Sequence, residues 1–203
     1  MTRRPLLVLA SLLFAFGTAH AAALTYKLDT NHTMVLASWD HFGYSHPVAY
    51  FGHADGTLVY DGAKPEASSV QVTLPLAGLD ALIPDLTEHL RSPDFFDAEK
   101  YPAITFRSTK VEAAGEGKLK VTGDLTIRDV TKPVVLDVTL NKAGEGRNGQ
   151  PKIGFDATTS ISRSEFGVAR FVPNVSDRIE LRISTEALVP KAEDAANQDA
   201  TKK

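Results

Sequence analysis

The sequence predicts an all-β protein: about eight antiparallel strands closed into a barrel, with one short helical insertion near residues 82–91. Three observations predict it. Apolar side chains recur with period 2 along nearly the whole chain. Hairpin-type turn signals, rather than helical crossovers, join the apolar segments. The 203-residue chain has no cysteine, so buried apolar surface alone must hold it together. A two-sheet sandwich would also hide one-faced strands. Long open strand edges invite pairing with other chains, however, and closure removes them, so the barrel is the expectation and the sandwich its rival.

The first element is not part of the fold. Arg3 and Arg4 precede an apolar run from Leu6 to Phe16, then Gly17, Thr18 and the small-residue stretch AHAAA. That is the layout of a secretory signal, residues 1–21, with cleavage expected after Ala21 and Ala23 as the alternative. TRRPLL resembles a twin-arginine signal but lacks the usual following Phe, so the export route stays open. The run is too short to span a bilayer, and no other segment approaches the roughly 20 apolar residues needed. Residues 22–190 form one expected domain. The polar, Ala-rich tail, 191–203, is expected to be disordered. Losing Arg3 and Arg4 takes the formal net charge from −3 to −5, which argues against nucleic acid and anionic membrane surfaces as partners.

The strands follow. Residues 33–42 and 48–60 are strand-like with imperfect alternation. Val70, Val72 and Leu74 alternate with Gln71 and Thr73. AGLDALIPDLTEHLRSPDFF then interrupts the pattern. Pro84 opens a short helix, Asp85 suits its positive end, Leu86 and Leu90 share a face, and Ser92-Pro93 stops it. Ile104 and Phe106 alternate with Thr105 and Arg107. In KLKVTGDLTIRD, Leu119, Val121, Gly123, Leu125 and Ile127 point one way and the charged residues the other. After a turn in DVTKP, Val134, Leu136, Val138 and Leu140 continue the rule and make a long hairpin. Ile153, Phe155, Ala157, Thr159 and Ile161 form one more face; Ile179, Leu181 and Ile183 form the last. DGAKPE, AAGEG, KAGEGRNGQP and VPNVSD read as loops.

An eight-stranded barrel is just wide enough to fill with its own side chains or to enclose a slim ligand. Gly123, Ala157, Thr159 and Ala37 share inward faces with Leu, Ile and Phe, and small residues leave room. Those faces carry almost no charge, so a cavity there would accept a hydrocarbon chain and reject ions. The residues alone leave a solid core and an apolar pocket equally open.

HLRSPDFFDAEKYPAITFRST, VTGDLTIRDVTKPVVLDV and ATTSISRSEFG follow YKLDTNHTMVLASWDHFG in one order across nearly all of the mature chain. In these motifs the chain resembles the YceI-like family of bacterial periplasmic proteins. The resemblance implies an extended, eight-stranded antiparallel lipocalin-like barrel with a helical insertion, whose interior holds polyisoprenoid lipid or isoprenoid quinone. Ala49-Tyr50-Phe51 stands where the family has Gly-x-Phe, LDALIPDL replaces the usual SIDT before the helix, and Trp39 replaces a smaller β-branched residue. These departures bear on ligand length and head group more than on fold. The expected function is a periplasmic carrier, not an enzyme, needing no cofactor beyond the bound isoprenoid lipid; a homodimer is left open. The residues expected to line the cavity are Val35, Ala37, Trp39, Phe51, Leu90, Phe95, Phe96, Ile104, Phe106, Leu125, Ile127, Phe155 and Phe166.

Other constellations have plainer readings. Phe95 and Phe96 either face the barrel's mouth or plug it as core, and the sequence does not choose. The spacings of His32, His41, His46, His53 and His89 match no compact ligand motif, so no metal site is expected. Arg91 and Arg163, with Asp94 and Glu165 close in sequence, are expected to form ion pairs tying the helix to the rim. Ser160, Ser162 and Ser164 have no Gly-x-Ser-x-Gly elbow and no evident base, so no catalytic residue is expected. Two rivals to the carrier remain: a solid-barrel structural or stress-protection module, and a metal or redox accessory protein using the histidines.

Overall fold

The structure, a computed structural model, describes residues 23–191. The expected signal segment and all but the first residue of the expected tail therefore lie outside the described residues. Eleven strand segments make one antiparallel sheet: β1 (Leu24–Leu28), β2 (Met34–Ser38), β3 (Val48–Phe51), β4 (Asp55–Tyr60), β5 (Ser69–Pro75), β6 (Leu79–Asp80), β7 (Ala103–Ala113), β8 (Lys118–Ile127), β9 (Val130–Glu145), β10 (Pro151–Ser162) and β11 (Arg178–Leu188). The ring β1-β4-β5-β7-β8-β9-β10-β11 closes because β1 pairs with both β4 and β11. The barrel expected from the period-2 pattern is present, and the sandwich is not.

The other three segments lengthen the barrel at one end. β11 pairs with β1 through Ala187 and Leu188, then with β2 from Ser184 to Glu180, and β3 and β6 follow in order. β1 and β2 are thus one long strand broken by a 3₁₀ turn at Thr30–His32. β5 and β6 are broken in the same way at Leu76–Gly78, and β3 and β4 by the irregular stretch 52–54. The break at 52–54 explains the imperfect alternation of residues 48–60, because each half faces a different neighbour; within 33–42 only Met34–Ser38 is strand, and it alternates cleanly.

Where the ladder is unbroken, the period is clean. Leu119, Val121, Gly123, Leu125 and Ile127 are all buried along β8. The following turn comes earlier than expected. Ile127 pairs with Val130, Arg128 and Asp129 make the turn, and DVTKP belongs largely to β9. Pro133 is tolerated because β9 pairs with β10 only as far as Asp137, which makes β9 a local edge at that point.

Gly123 also departs from expectation. A Cβ there would lie 2.3 Å from Phe106 Cζ and 2.6 Å from the Arg107 carbonyl oxygen. The Phe106 ring occupies the space that the missing side chain leaves, so Gly123 closes the interior rather than opening it. Gly123→Ala is expected to lower unfolding free energy by about 1–3 kcal/mol in a urea titration, because the ring must leave its place.

The helix, α1 (Pro84–Arg91), begins two residues later than the expected 82. Leu82 has a φ of 63°, which a right-handed helix cannot accept, and Pro84 opens the first turn instead. α1 and the turn after it fill a split in the wall. β5 pairs with β7 as far as Pro75–Ala103, but β6 pairs only with β3. Between β6 and β7 the perimeter is helix, not strand. No helix among the described residues is long and apolar enough to cross a membrane.

Candidate functional site: a two-lobed apolar cavity

The barrel is hollow. Two lobes of about 320 Å³ and 170 Å³ lie end to end along it. Val35, Leu74, Leu125 and Leu181 line both, so the lobes meet at that ring of side chains. Packed interiors leave few voids larger than a water molecule, and ligand pockets start near 300 Å³. The first lobe alone is in the second class. Of the two readings that the residues left open, the solid core does not describe this barrel.

The first lobe lies at the α1 end. β2 supplies Val35, Ala37 and Trp39, β3 supplies Phe51, β7 supplies Ile104, and β8 supplies Leu125 and Ile127. Leu90 comes from α1, Phe95 and Phe96 from the turn after it, and Phe166 from the 3₁₀ turn Arg163–Phe166. Phe106 and Phe155 line the second lobe, beside Ala157 and Thr159. All thirteen residues expected at the cavity therefore lie along its wall. Ile161, Ile179 and Leu181 also line it, and the period had already put them on inward faces. His41, His89, Val168, Phe171 and Val175 line it too. They lie on loops or a helix flank, where no period marks them.

Phe95 and Phe96 form wall, not stopper. Phe95 packs edge-to-face on His89 at 4.9 Å, and Phe96 on Phe51 at 5.8 Å, which leaves the lobe free. Two arginines fasten this end of the barrel, though not by the expected ion pairs. Arg91 donates to the carbonyls of Leu76, Ala77 and Leu79, which binds α1 to the point where the wall splits. Arg163, only 7% exposed, donates to the carbonyls of Ser176 at 2.9 Å, Val168 at 2.7 Å and Val175 at 2.9 Å. Burial lowers the Arg163 pKa, and the Asp177 carboxylate opposes that shift. Asp94 pairs with Arg170 at 3.0 Å. A guanidinium is a planar fork of five donors, and a loop offers it carbonyls at matching angles. Sequence proximity favoured the nearby carboxylates, but backbone oxygens needing partners prevail.

The sequence profile of the YceI-like domain matches residues 26–187. The chain belongs to the YceI-like family. It is 38% identical over 187 residues to a UPF0312 protein of Pseudomonas putida, covering 91% of this chain and 96% of that one. Among solved structures, the Campylobacter jejuni YCEI protein is 33% identical with a TM-score of 0.69, covering 75% of this chain and 90% of that one. Burkholderia cenocepacia BcnA is 26% identical with a TM-score of 0.72, covering 78% and 98%. A polyisoprenoid binding domain from Saccharophagus degradans shares the fold at a TM-score of 0.63, with 12% identity and coverage of 82% and 99%.

Polar groups of this YceI-like chain also border the cavity. Tyr60 lines the second lobe, and burial, with Asp61 adding to it, raises its phenol pKa. The ring stays uncharged at neutral pH. Ser164 donates its hydroxyl to Asp177 at 2.9 Å in a loop contact. Among the described residues, the one trio of suitable groups close enough to share an ion is Asp29, His32 and Glu186. His41, His46, His53 and His89 are not among its members, and Lys152 already pairs with Glu186 there.

Proposed function

We propose that this YceI-like barrel is a periplasmic, non-enzymatic carrier for an isoprenoid lipid, either a polyisoprenoid or an isoprenoid quinone. The tail would lie along both lobes, with the polar head left near the α1 end. The observation that carries the reading is that two apolar lobes adjoin along the barrel, with Val35, Leu74, Leu125 and Leu181 in the walls of both. A compact ligand needs one chamber; a long flexible hydrocarbon suits an adjoining pair. The polyisoprenoid-binding domain that shares the fold supports the same choice. Each buried CH₂ contributes about 0.8 kcal/mol on leaving water. A bilayer offers a similar gain, so preference for the barrel comes from fit to its walls and from the head group.

Native mass spectrometry of the protein taken from the periplasmic fraction of producing cells tests this. The expected result is a complex that releases a prenyl lipid on denaturation. A protein that arrives empty and then takes up neither a polyprenyl alcohol nor a quinone probe would end the proposal.

A further inference from the structure

Three loop tips surround the helix end of the barrel: residues 41–48, 81–84 and 171–176. None contains Asp, Glu, Lys or Arg. The backbone ties them into one surface. Phe42 N–H donates to the Asn174 carbonyl at 2.8 Å, and His41 bridges to Val175. Phe171 packs 6.3 Å from both His89 of α1 and Phe95. β2 pairs with β3 and β3 with β6, which brings Val48 and Leu82 to the same rim. Among the described residues, the exposed large apolar side chains other than Leu24, Met34, Leu36 and Val135 all sit on these tips. Phe42 is 50% exposed, Tyr44 91%, Leu82 70% and Phe171 47%. The concentration is far from random scatter.

Three of these residues are also held in an unfavourable backbone conformation. Phe42, Leu82 and Phe171 have φ values of 57°, 63° and 64°. Positive φ is uncommon for any residue but glycine, and a genuine outlier for bulky ones. Such positions carry backbone strain that the surrounding structure has to hold in place, and they cluster at functional sites. Folding here would be easier with glycine or asparagine. Phe42 and Leu82 nonetheless present bulky apolar groups outward, and Phe171 divides its surface between solvent and the first lobe.

We infer that these tips dock the protein on a zwitterionic phospholipid surface, with the first lobe opening toward the hydrocarbon. The inference rests on the lipid reading of the cavity for its purpose, although the contact surface stands on its own residues. The patch is continuous with the site, because His41, Phe171 and Val175 belong to the tips and also line the first lobe. Aromatic and aliphatic side chains without charge are what the boundary between head groups and acyl chains accepts, and Tyr44 suits its wet side. The charges just behind the tips are Asp40, Asp80, Asp85 and Asp177, together with the Arg170–Asp94 pair and the buried Arg163 beneath Val175 and Ser176. That acidic setting selects zwitterionic over anionic lipid. A second copy of the chain is the lesser fit. The three tips offer fewer residues than the roughly 20–30 that each side of a stable protein interface uses.

The test compares the mature protein with a Phe42→Asn/Tyr44→Ser/Leu82→Asn variant. None of these three residues lines a lobe, and asparagine accepts positive φ, so the variant should fold at least as stably. Flotation with phosphatidylcholine vesicles is expected to show the parent protein bound and the variant's partition constant at least about tenfold lower. A geranyl probe in vesicle-free buffer is expected to bind both within about twofold. A parent that does not float, or a variant that floats equally well, overturns the inference. So does a parent that is dimeric by sedimentation and becomes monomeric in the variant, since a second copy would then own the patch. If neither protein takes the geranyl probe but flotation still depends on the tips, docking stands and the carrier reading falls.

Discussion

Arg163→Ala is expected to destabilise the barrel by roughly 3–5 kcal/mol, more than any other single truncation at the α1 end. The guanidinium satisfies three carbonyls, those of Val168, Val175 and Ser176. Each buried acceptor left without a donor costs about 1–3 kcal/mol. The loss is not confined to stability. Val168, Phe171 and Val175 are wall residues of the first lobe, and Arg163 is what holds their loop against the barrel. Affinity for a prenyl probe should therefore fall along with the urea midpoint. Arg163→Lys keeps the charge but replaces a planar fork by a point donor, so it should recover less than half of the loss. An alanine variant within about 0.5 kcal/mol of the parent would show that the loop stands without its fastener.

The second large effect concerns the adjoining lobes. Ala157 lines the inner, smaller lobe, opposite Ile183 on β11 and Val138 on β9. Ala157→Phe puts a benzyl group into that space. A long polyprenyl probe should then bind about a hundredfold more weakly, which corresponds to losing the burial of three or four CH₂ groups at about 0.8 kcal/mol each. A short geranyl probe, which the first lobe accommodates by itself, should bind as before. Unfolding of the empty variant should be unchanged or slightly harder, because the ring fills a void rather than crowding a packed core. Equal loss for both probes would mean that the lobes do not act as one tube. Improved stability with no loss for either would mean that the tail never reaches the inner lobe.

The strands of this protein are written in its sequence wherever both neighbours are strands along their full length. β8 is the clearest example: its alternation, its burial and its pairing with β7 and β9 all agree. The same logic placed Val35, Ala37, Ile104, Leu125 and Phe155 on the wall, since an inward face is a period-2 property. Legibility fails where a residue's surroundings come from elsewhere in the chain. Nothing local tells that the Phe106 ring lies over Gly123. Nothing local tells that Arg91 reaches carbonyls 12 to 15 residues back instead of the neighbouring Asp94. Phe171 and Val175 gain their place at the cavity from a loop whose path is set by Arg163, 8 and 12 positions earlier. The existence of a void was also beyond reach. Whether eight inward faces touch at the centre depends on the sum of all their volumes, not on any one stretch.

The split between β6 and β7 gives the barrel a property that a fully laddered cylinder lacks. A cylinder stitched all the way round by backbone hydrogen bonds has a fixed girth, and a thicker guest must break a rung. Here one sector of the circumference is α1 and the Phe95–Phe96 turn, seated by side chains and by the Arg91 fork. That sector can shift outward by yielding side-chain contacts, the Arg91 fork among them, without breaking a rung of the strand ladder. The same scaffold can thus suit prenyl chains of unequal bulk without any strand changing its register.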